Sequence, residues 1–208
     1  MARIIKMGVC YIVGAGDFTP LPEISALDTV IAADGGYEIL LDFGIKPRLI
    51  IGDFDSAKVK PMGENVITHP EMKDETDMHL AFLEGVRRGY RNFRIYGGTG
   101  GRASHSFANY SLLLNMKNSG CEGVLVDEKS ETLVIKNEEI ILSKRDFKYF
   151  SVFAFGGEAR GVTIKNALFE VAGISLTPEF PLGVSNRFKD TDVRVKVESG
   201  VLLVILEK

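Results

Sequence analysis

Cysteine is scarce in this chain, with two in 208 residues. Cys10 and Cys121 have no paired spacing and no Cys/His company, which excludes a zinc site and a disulfide framework. The reducing cytoplasm is the expected home of such a sequence. Basic clusters are missing too: 25 Lys and Arg stand against 28 Asp and Glu, for a net charge of −3. Neither a nucleic-acid nor a membrane-surface partner is expected, since both call for a concentrated basic patch. Long apolar runs are absent as well. The run from Val9 to Val13 is too short for a secretory core or a bilayer span, and it ends in Gly14-Ala15-Gly16 rather than a cleavage site. It reads as a first strand. There is no low-complexity linker and no internal repeat.

What remains is the composition of an ordinary globular protein, 45% apolar and 25% charged, long enough for one large domain or two small ones. Apolar runs at 9–13, 28–33, 48–52, 64–68, 92–97 and 123–127 read as strands. Helical stretches lie between them near 36–44, 76–90 and 103–118. Alternation at this spacing predicts a Rossmann-like parallel sheet with flanking helices. In the second helix Met78, Ala81, Phe82 and Gly85 form one stripe, widened by Leu80, Leu83 and Val86. Beyond residue 127 the pattern changes to short strands at 131–135, 138–143, 149–155, 159–165, 193–198 and 201–206, with no helical period. The expected organisation is therefore α/β plus all-β: an α/β domain over 1–127 and an antiparallel β-sandwich over 128–208.

Acidic or glycine-rich segments follow four of the strands of the first part. Asp34-Gly35-Gly36 comes after one strand and Gly52-Asp53-Phe54-Asp55-Ser56 after the next. Lys73-Asp74-Glu75-Thr76-Asp77 and Gly97-Gly98-Thr99-Gly100-Gly101-Arg102 follow two more. In an open parallel sheet such loops share one rim, where ligands bind. If the chain stays extended past Gly52, Asp53 and Asp55 point to the same side and can hold a hard cation such as Mg²⁺ beside a phosphate. An Asp- and Gly-rich turn is the plain alternative. Asp77 in a first helical turn fits either the same cation or a helix cap, a role that Thr76 or Asp74 also suits. Glycines let backbone N–H groups approach phosphate oxygens, and Arg102 adds a planar fork. No Gly-Lys-Ser/Thr follows, so this is not a Walker loop. Gly14-Ala15-Gly16 lacks the third glycine of a dinucleotide fingerprint. His105, taken alone, reads as structural, and Ser185-Asn186 reads as a turn. The sequon Asn109-Tyr110-Ser111 falls in a predicted helix and carries no weight.

In order and spacing, these segments resemble the thiamine pyrophosphokinase family. The resemblance rests on Asp34-Gly35-Gly36, Gly52-Asp53-Phe54-Asp55-Ser56, Lys73-Asp74-Glu75-Thr76-Asp77, Gly100-Gly101-Arg102-Ala103-Ser104-His105 and Val184-Ser185-Asn186, and it spans nearly the whole chain. It implies transfer of a diphosphate from ATP to the hydroxyl of thiamine, with Mg²⁺ held by Asp53, Asp55 and Asp77. Arg102 joins these three as a catalytic residue. Asp34, Gly35, Ser56, Lys73, Asp74, Thr76, Gly98, Gly101 and His105 are implied to bind ATP or thiamine. It also implies a homodimer, with Ser185 and Asn186 serving the site of the partner. Members commonly read Gly-Gly-Arg-x-Asp-His, whereas Ser104 replaces the acid here. The alternatives are a diphosphokinase for another hydroxymethyl heterocycle, such as a pterin, and a non-catalytic thiamine- or nucleotide-binding protein.

Overall fold

Residues 8–55, 60–70 and 74–208 are described by a computed structural model of the chain. Ser56 and Lys73 lie outside the described residues. The chain divides into two compact units, Met1–Glu128 and Lys129–Lys208.

In the first unit β1 (Val9–Val13), β2 (Thr29–Ala33), β3 (Leu49–Gly52), β4 (Val66–Thr68), β5 (Asn92–Tyr96) and β6 (Glu122–Val126) pair in parallel in the order β6-β5-β1-β2-β3-β4. The middle strands are buried on both faces, β2 along its whole length, as expected where helices cover a parallel sheet on each side. On one face Tyr11, Val13, Val30, Ala32 and Ile50 pack with Leu40 of α1 (Gly36–Asp42). On the other, α2 (Asp77–Arg87) buries the predicted stripe of Met78, Ala81, Phe82 and Gly85. Gly85 is required there, because a β-carbon would stand 2.6 Å from the Phe93 ring and 3.1 Å from Cys10 Sγ. Leu83 stays 43% exposed, so the apolar stripe is narrower than the sequence pattern suggests. The third helix, α3 (Ala103–Asn118), packs on β6 and buries Asn109, Leu112, Leu113 and Met116.

The second unit is an antiparallel sandwich. One sheet runs β12 (Asn186–Arg187), β9 (Tyr149–Ala154), β14 (Val201–Glu207) and β7 (Ser130–Lys136). The other runs β11 (Val171–Leu176), β10 (Ala159–Lys165), β13 (Val193–Lys196) and β8 (Glu139–Leu142). Phe150, Val152, Leu202 and Val204 from the first sheet meet Val162, Ile164, Val193 and Val195 from the second. Two strands were not expected. β11 has Gly173 at φ +66°, and its pairing with β10 shifts register twice, which breaks the alternation that marks a strand in sequence. β12 begins at Asn186, so only Ser185 keeps the turn geometry expected of the pair, at φ +55°.

Candidate active site

The order β4-β3-β2-β1-β5-β6 reverses at β1, whose neighbours are β2 on one side and β5 on the other. Loops leaving the carboxyl ends of strands on either side of such a switch point open a crevice. The acidic loops of β2 and β3 stand on one side of β1, and the glycine loop of β5 on the other.

Asp34 ends β2 in the left-handed region, at φ +46°, and its N–H donates to Ile51 O at 2.7 Å. Gly52 lies directly against it: a β-carbon there would stand 3.0 Å from Asp34 Cα. Past Gly52 the chain does not stay extended. Phe54 adopts φ +56° and buries its ring in the core, leaving only 2% of its surface exposed. The same-side argument for Asp53 and Asp55 therefore fails, because Phe54 turns the backbone between them. The two acids share the rim for another reason: Phe54 is pulled inward as its flanking residues stay out, Asp53 half-buried and Asp55 exposed. Asp53 Oδ1 accepts from Asp55 N–H at 3.2 Å and tightens the turn. A left-handed aromatic residue is strained, and such strain persists where surrounding packing enforces it.

Thr76 is the N-cap of α2, its hydroxyl accepting from His79 N–H at 3.2 Å, so capping falls to Thr76 rather than Asp77 or Asp74. Asp77 occupies the first turn of α2 and is half-buried, whereas Asp74 is exposed. The charges of Asp77, Asp53 and Asp55 all reach Asp34. Burial first, and then these three like charges in that order, hold the Asp34 carboxyl above its usual range, against the opposing effect of the Gly35 N–H. Among the described residues, no three His, Cys, Asp or Glu side chains form a ready metal cage. Four carboxylates within electrostatic reach are nonetheless the hard oxygen donors that suit Mg²⁺, which keeps several waters and commonly takes one or two carboxylates plus substrate phosphate.

Across β1, the glycine loop is laced to the segment after the first strand. Gly14, Gly16 and Asp17 donate their N–H groups to Tyr96, Gly97 and Thr99 carbonyls, each at 2.8 Å. Gly16 permits that approach, since a β-carbon would collide with Thr99 O. Gly14-Ala15-Gly16 thus braces the rim. Gly97, Gly100 and Gly101 have φ of +60°, +75° and +51°. Among the described residues, no hydrogen bond engages the backbone N–H of Thr99, Gly100 or Gly101. Successive donors on a left-handed turn form a concavity suited to an anion. Arg102 is the exposed N-cap of α3, with Ser104 and His105 exposed in the turn that follows.

Three polar groups at this loop escaped the sequence reading. Asn109 is buried in α3 and its amide donates to Gly98 O at 2.7 Å. Asp17 lies so close to Gly100 that any side chain there would strike its carboxylate. Thr99 Oγ1 donates weakly to Asp127 Oδ2 at 3.5 Å, at the end of β6. Asn109 had one visible signal: a polar residue at the i−3 and i−4 positions of Leu112 and Leu113, on the apolar face of its helix.

In the second unit Asn186 is buried and almost fully committed. Its Oδ1 accepts from Phe169 N–H at 3.0 Å and from Arg187 N–H at 2.8 Å, while Nδ2 donates to Phe169 O at 2.7 Å. Ser185 N–H donates to Ser151 Oγ at 3.0 Å. Beside them opens a mainly apolar cavity of about 320 Å³, lined by Phe169, Ile174, Leu182, Val184 and Asn186 among others. Asn186 therefore shapes a wall and has one N–H left to offer.

Residues 22–125 match the thiamin pyrophosphokinase catalytic domain, and residues 137–202 match the thiamin pyrophosphokinase vitamin B1 binding domain. The chain is 26% identical over 182 residues to thiamine pyrophosphokinase of Bacillus subtilis (strain 168), covering 84% of this chain and 85% of that one. The fold matches the crystal structure of the Bacillus subtilis enzyme with a TM-score of 0.85 at 23% identity, over 96% of this chain and 99% of that one. It matches that of thiamin pyrophosphokinase from Geobacillus thermodenitrificans with a TM-score of 0.83 at 24% identity, over 96% and 97%.

Proposed function

This chain belongs to the thiamin pyrophosphokinase family, and from that premise we infer its reaction and the parts its residues play. It transfers a diphosphate group from ATP to the hydroxyl of thiamine, giving thiamine diphosphate and AMP. The observation that carries the assignment of the site is the placement of Asp34, Asp53 and Asp55 on the loops after β2 and β3 and of Asp77 in the first turn of α2, beside the switch point at β1. Four acids at one rim, across β1 from a loop of open N–H donors, suit a metal-bound triphosphate.

Asp53, Asp55 and Asp77 would hold Mg²⁺, with Asp34 close enough to reinforce them. A metal held by these acids would supply charge neutralisation of the triphosphate. The N–H groups of Thr99, Gly100 and Gly101 receive phosphate oxygens, with Gly101 open to the close approach, Gly98 seating the loop against Ile95 and Leu125, and Arg102 supplying a fork from the helix start. The thiamine hydroxyl oxygen attacks the β-phosphorus in line. A new O–P bond forms, the bridging bond to the α-phosphate breaks, and AMP leaves. The hydroxyl proton passes to one of Asp34, Asp74 and Asp77. Positioning carries most of the rate in such a transfer.

Ser56, Lys73, Gly35, Thr76 and His105 complete the substrate shell in this reading. The apolar cavity beside Asn186 suits an aromatic heterocycle, supported by the match of this unit to a vitamin B1 binding domain. The chain works as a homodimer, with Ser185 and Asn186 of one copy serving the other. Support comes from Phe169, Phe180, Leu182 and Val184, large apolar side chains left exposed on the second unit. A monomer in sedimentation would end that part of the proposal. Among the described residues, no helix is long and apolar enough to cross a membrane. The cytoplasm suits the buried thiols of Cys10 and Cys121.

The test is AMP release from Mg-ATP with and without thiamine, with thiamine diphosphate detected directly. Thiamine-dependent AMP in step with product is expected. ADP in its place would mean γ-phosphoryl transfer and sink the mechanism, and thiamine-independent AMP would point to another acceptor.

A further inference from the structure

Asn109 sits on α3 outside the acidic rim, with Leu112, Leu113 and Met116 as the other buried residues of its helix, and only 5% of its surface is exposed. A primary amide in apolar surroundings is tolerated only when its polar atoms are bonded. Its Nδ2 donates to Gly98 O at 2.7 Å, the tightest side-chain bond to the glycine loop. Gly98 is boxed in as well: a β-carbon there would stand 2.5 Å from Leu125 Cδ1, 2.9 Å from Ile95 Cγ2 and 3.3 Å from Asn109 Nδ2.

The peptide unit is planar and trans, so its C=O and N–H point in opposite directions. Holding the Gly98 carbonyl against α3 therefore turns the Thr99 N–H away from α3. The following peptides are anchored in the same manner. Thr99 O accepts from Asp17 N–H at 2.8 Å, which orients the Gly100 N–H, and Gly100 O accepts from Ser106 Oγ at 3.5 Å, which orients the Gly101 N–H. Three carbonyl anchors set three outward donors, and the bond from Asn109 fixes the first.

We propose that Asn109 is a positioning residue for nucleotide binding, acting through the Gly98 carbonyl to aim the Thr99–Gly101 N–H groups at the phosphates of ATP. This rests on the reading of the glycine loop as the phosphate cradle. It also gives the sequon at Asn109 a different meaning, because a buried, bonded amide is closed to glycosylation.

Two variants test it. Asn109→Leu keeps the branching at the γ-carbon, adds bulk, removes the donor and leaves the Gly98 carbonyl unsatisfied, so its affinities are read on folded protein only. Its KM for ATP and its Kd for Mg-ATP by calorimetry should rise about ten- to hundredfold, while KM for thiamine stays near wild type. Asn109→Asp keeps the shape. Ionised, it repels the Gly98 carbonyl; protonated, its O–H replaces the lost donor. Its kcat/KM for ATP, divided by the wild-type value at the same pH, should climb about tenfold per pH unit as pH falls toward the pKa of that buried carboxyl. Asp17 and Asp127 are the acids nearest the loop, and taking the ratio removes pH effects common to both proteins. A purely structural asparagine predicts a flat ratio once activity is normalised to folded protein. A folded Asn109→Leu with wild-type ATP affinity, or a flat Asn109→Asp ratio, overturns the proposal. Failure of the functional reading looks different: wild-type protein would bind Mg-ATP yet make no thiamine diphosphate, and the affinities of the variants would still decide the role of Asn109. Wild-type protein that binds no Mg-ATP sinks both.

Discussion

The ring of Phe54 fills the space that a side chain at Gly52 would need. A β-carbon at residue 52 would stand 2.9 Å from Phe54 Cε1 and 3.0 Å from Asp34 Cα. One glycine thus keeps two acidic loops in register. Gly52→Ala should destabilise the protein by about 1–3 kcal/mol, as overpacking does, and lower turnover by displacing Asp34 and Asp53. Denaturant titration beside a turnover assay checks both; an alanine variant with wild-type values for each would refute the tight packing.

Asp55 is exposed, and in the proposed reaction its part is to help hold the metal rather than to support the fold. Asp55→Asn should leave stability within about 0.5 kcal/mol of wild type, as for most surface changes. Turnover should fall by about a hundredfold or more through lost stabilisation of the phosphoryl charge. Equal losses of thermal stability and turnover would make Asp55 a structural residue.

Asp34 should show the opposite balance. Its raised carboxyl means that the folded state binds this proton more tightly than the unfolded chain does, so stability falls as pH rises from the ordinary value of 3.8 through the raised one. At neutral pH the ionised group is destabilising. Asp34→Asn, heated without Mg²⁺, should melt about 2–4 °C higher than wild type at pH 7, with the gap closing below the ordinary value, while turnover drops. A lower melting temperature for the variant at pH 7 would contradict a carboxyl raised by burial and by its like-charged neighbours.

Glu84 offers a pH response remote from the crevice. It accepts from Arg87 Nε and Nη2, each at 2.6 Å, and from Arg88 Nε at 2.7 Å. The bond from Arg87, working against burial and helped by Arg88, holds its carboxyl below the ordinary 4.5. The linked stability is present above 4.5 and lost as pH falls through the folded value. Glu84→Gln should be about 0.5–1 kcal/mol less stable than wild type at pH 7 and indistinguishable once the carboxyl is protonated, as followed by urea unfolding across pH. A difference that persists in acid would point to packing instead.

The elements most legible in the sequence are those with a clean period. The α2 stripe of Met78, Ala81, Phe82 and Gly85 repeats every three or four residues and is buried as read. The change from helix-and-strand to strands alone follows from period two in Val193-Arg194-Val195-Lys196, and β13 spans those four residues. β11 was not legible because its bulges and Gly173 interrupt that period. At the site, the acidic and glycine-rich segments stood out by composition, but the reason for their arrangement did not. The left-handed Phe54 is a tertiary outcome: core packing overrides the local preference of an aromatic residue. Asn109 is a long-range case too, its meaning set by a carbonyl eleven positions earlier that only the packing of α3 brings near.

The lacing of Gly14, Gly16 and Asp17 to Tyr96, Gly97 and Thr99 also dictates an order of assembly during synthesis. The central strand β1 leaves the ribosome before either of its neighbours, and one of them, β5, is made much later. At about 5–20 residues per second that interval lasts several seconds, during which one edge of the nascent sheet stays open. A nascent chain stalled before β5 therefore carries all four acids of the rim but lacks the wall opposite them. In the proposed reading the crevice gains its second wall only when that late strand docks, so ATP binding would report that β5 and its glycine loop are in place.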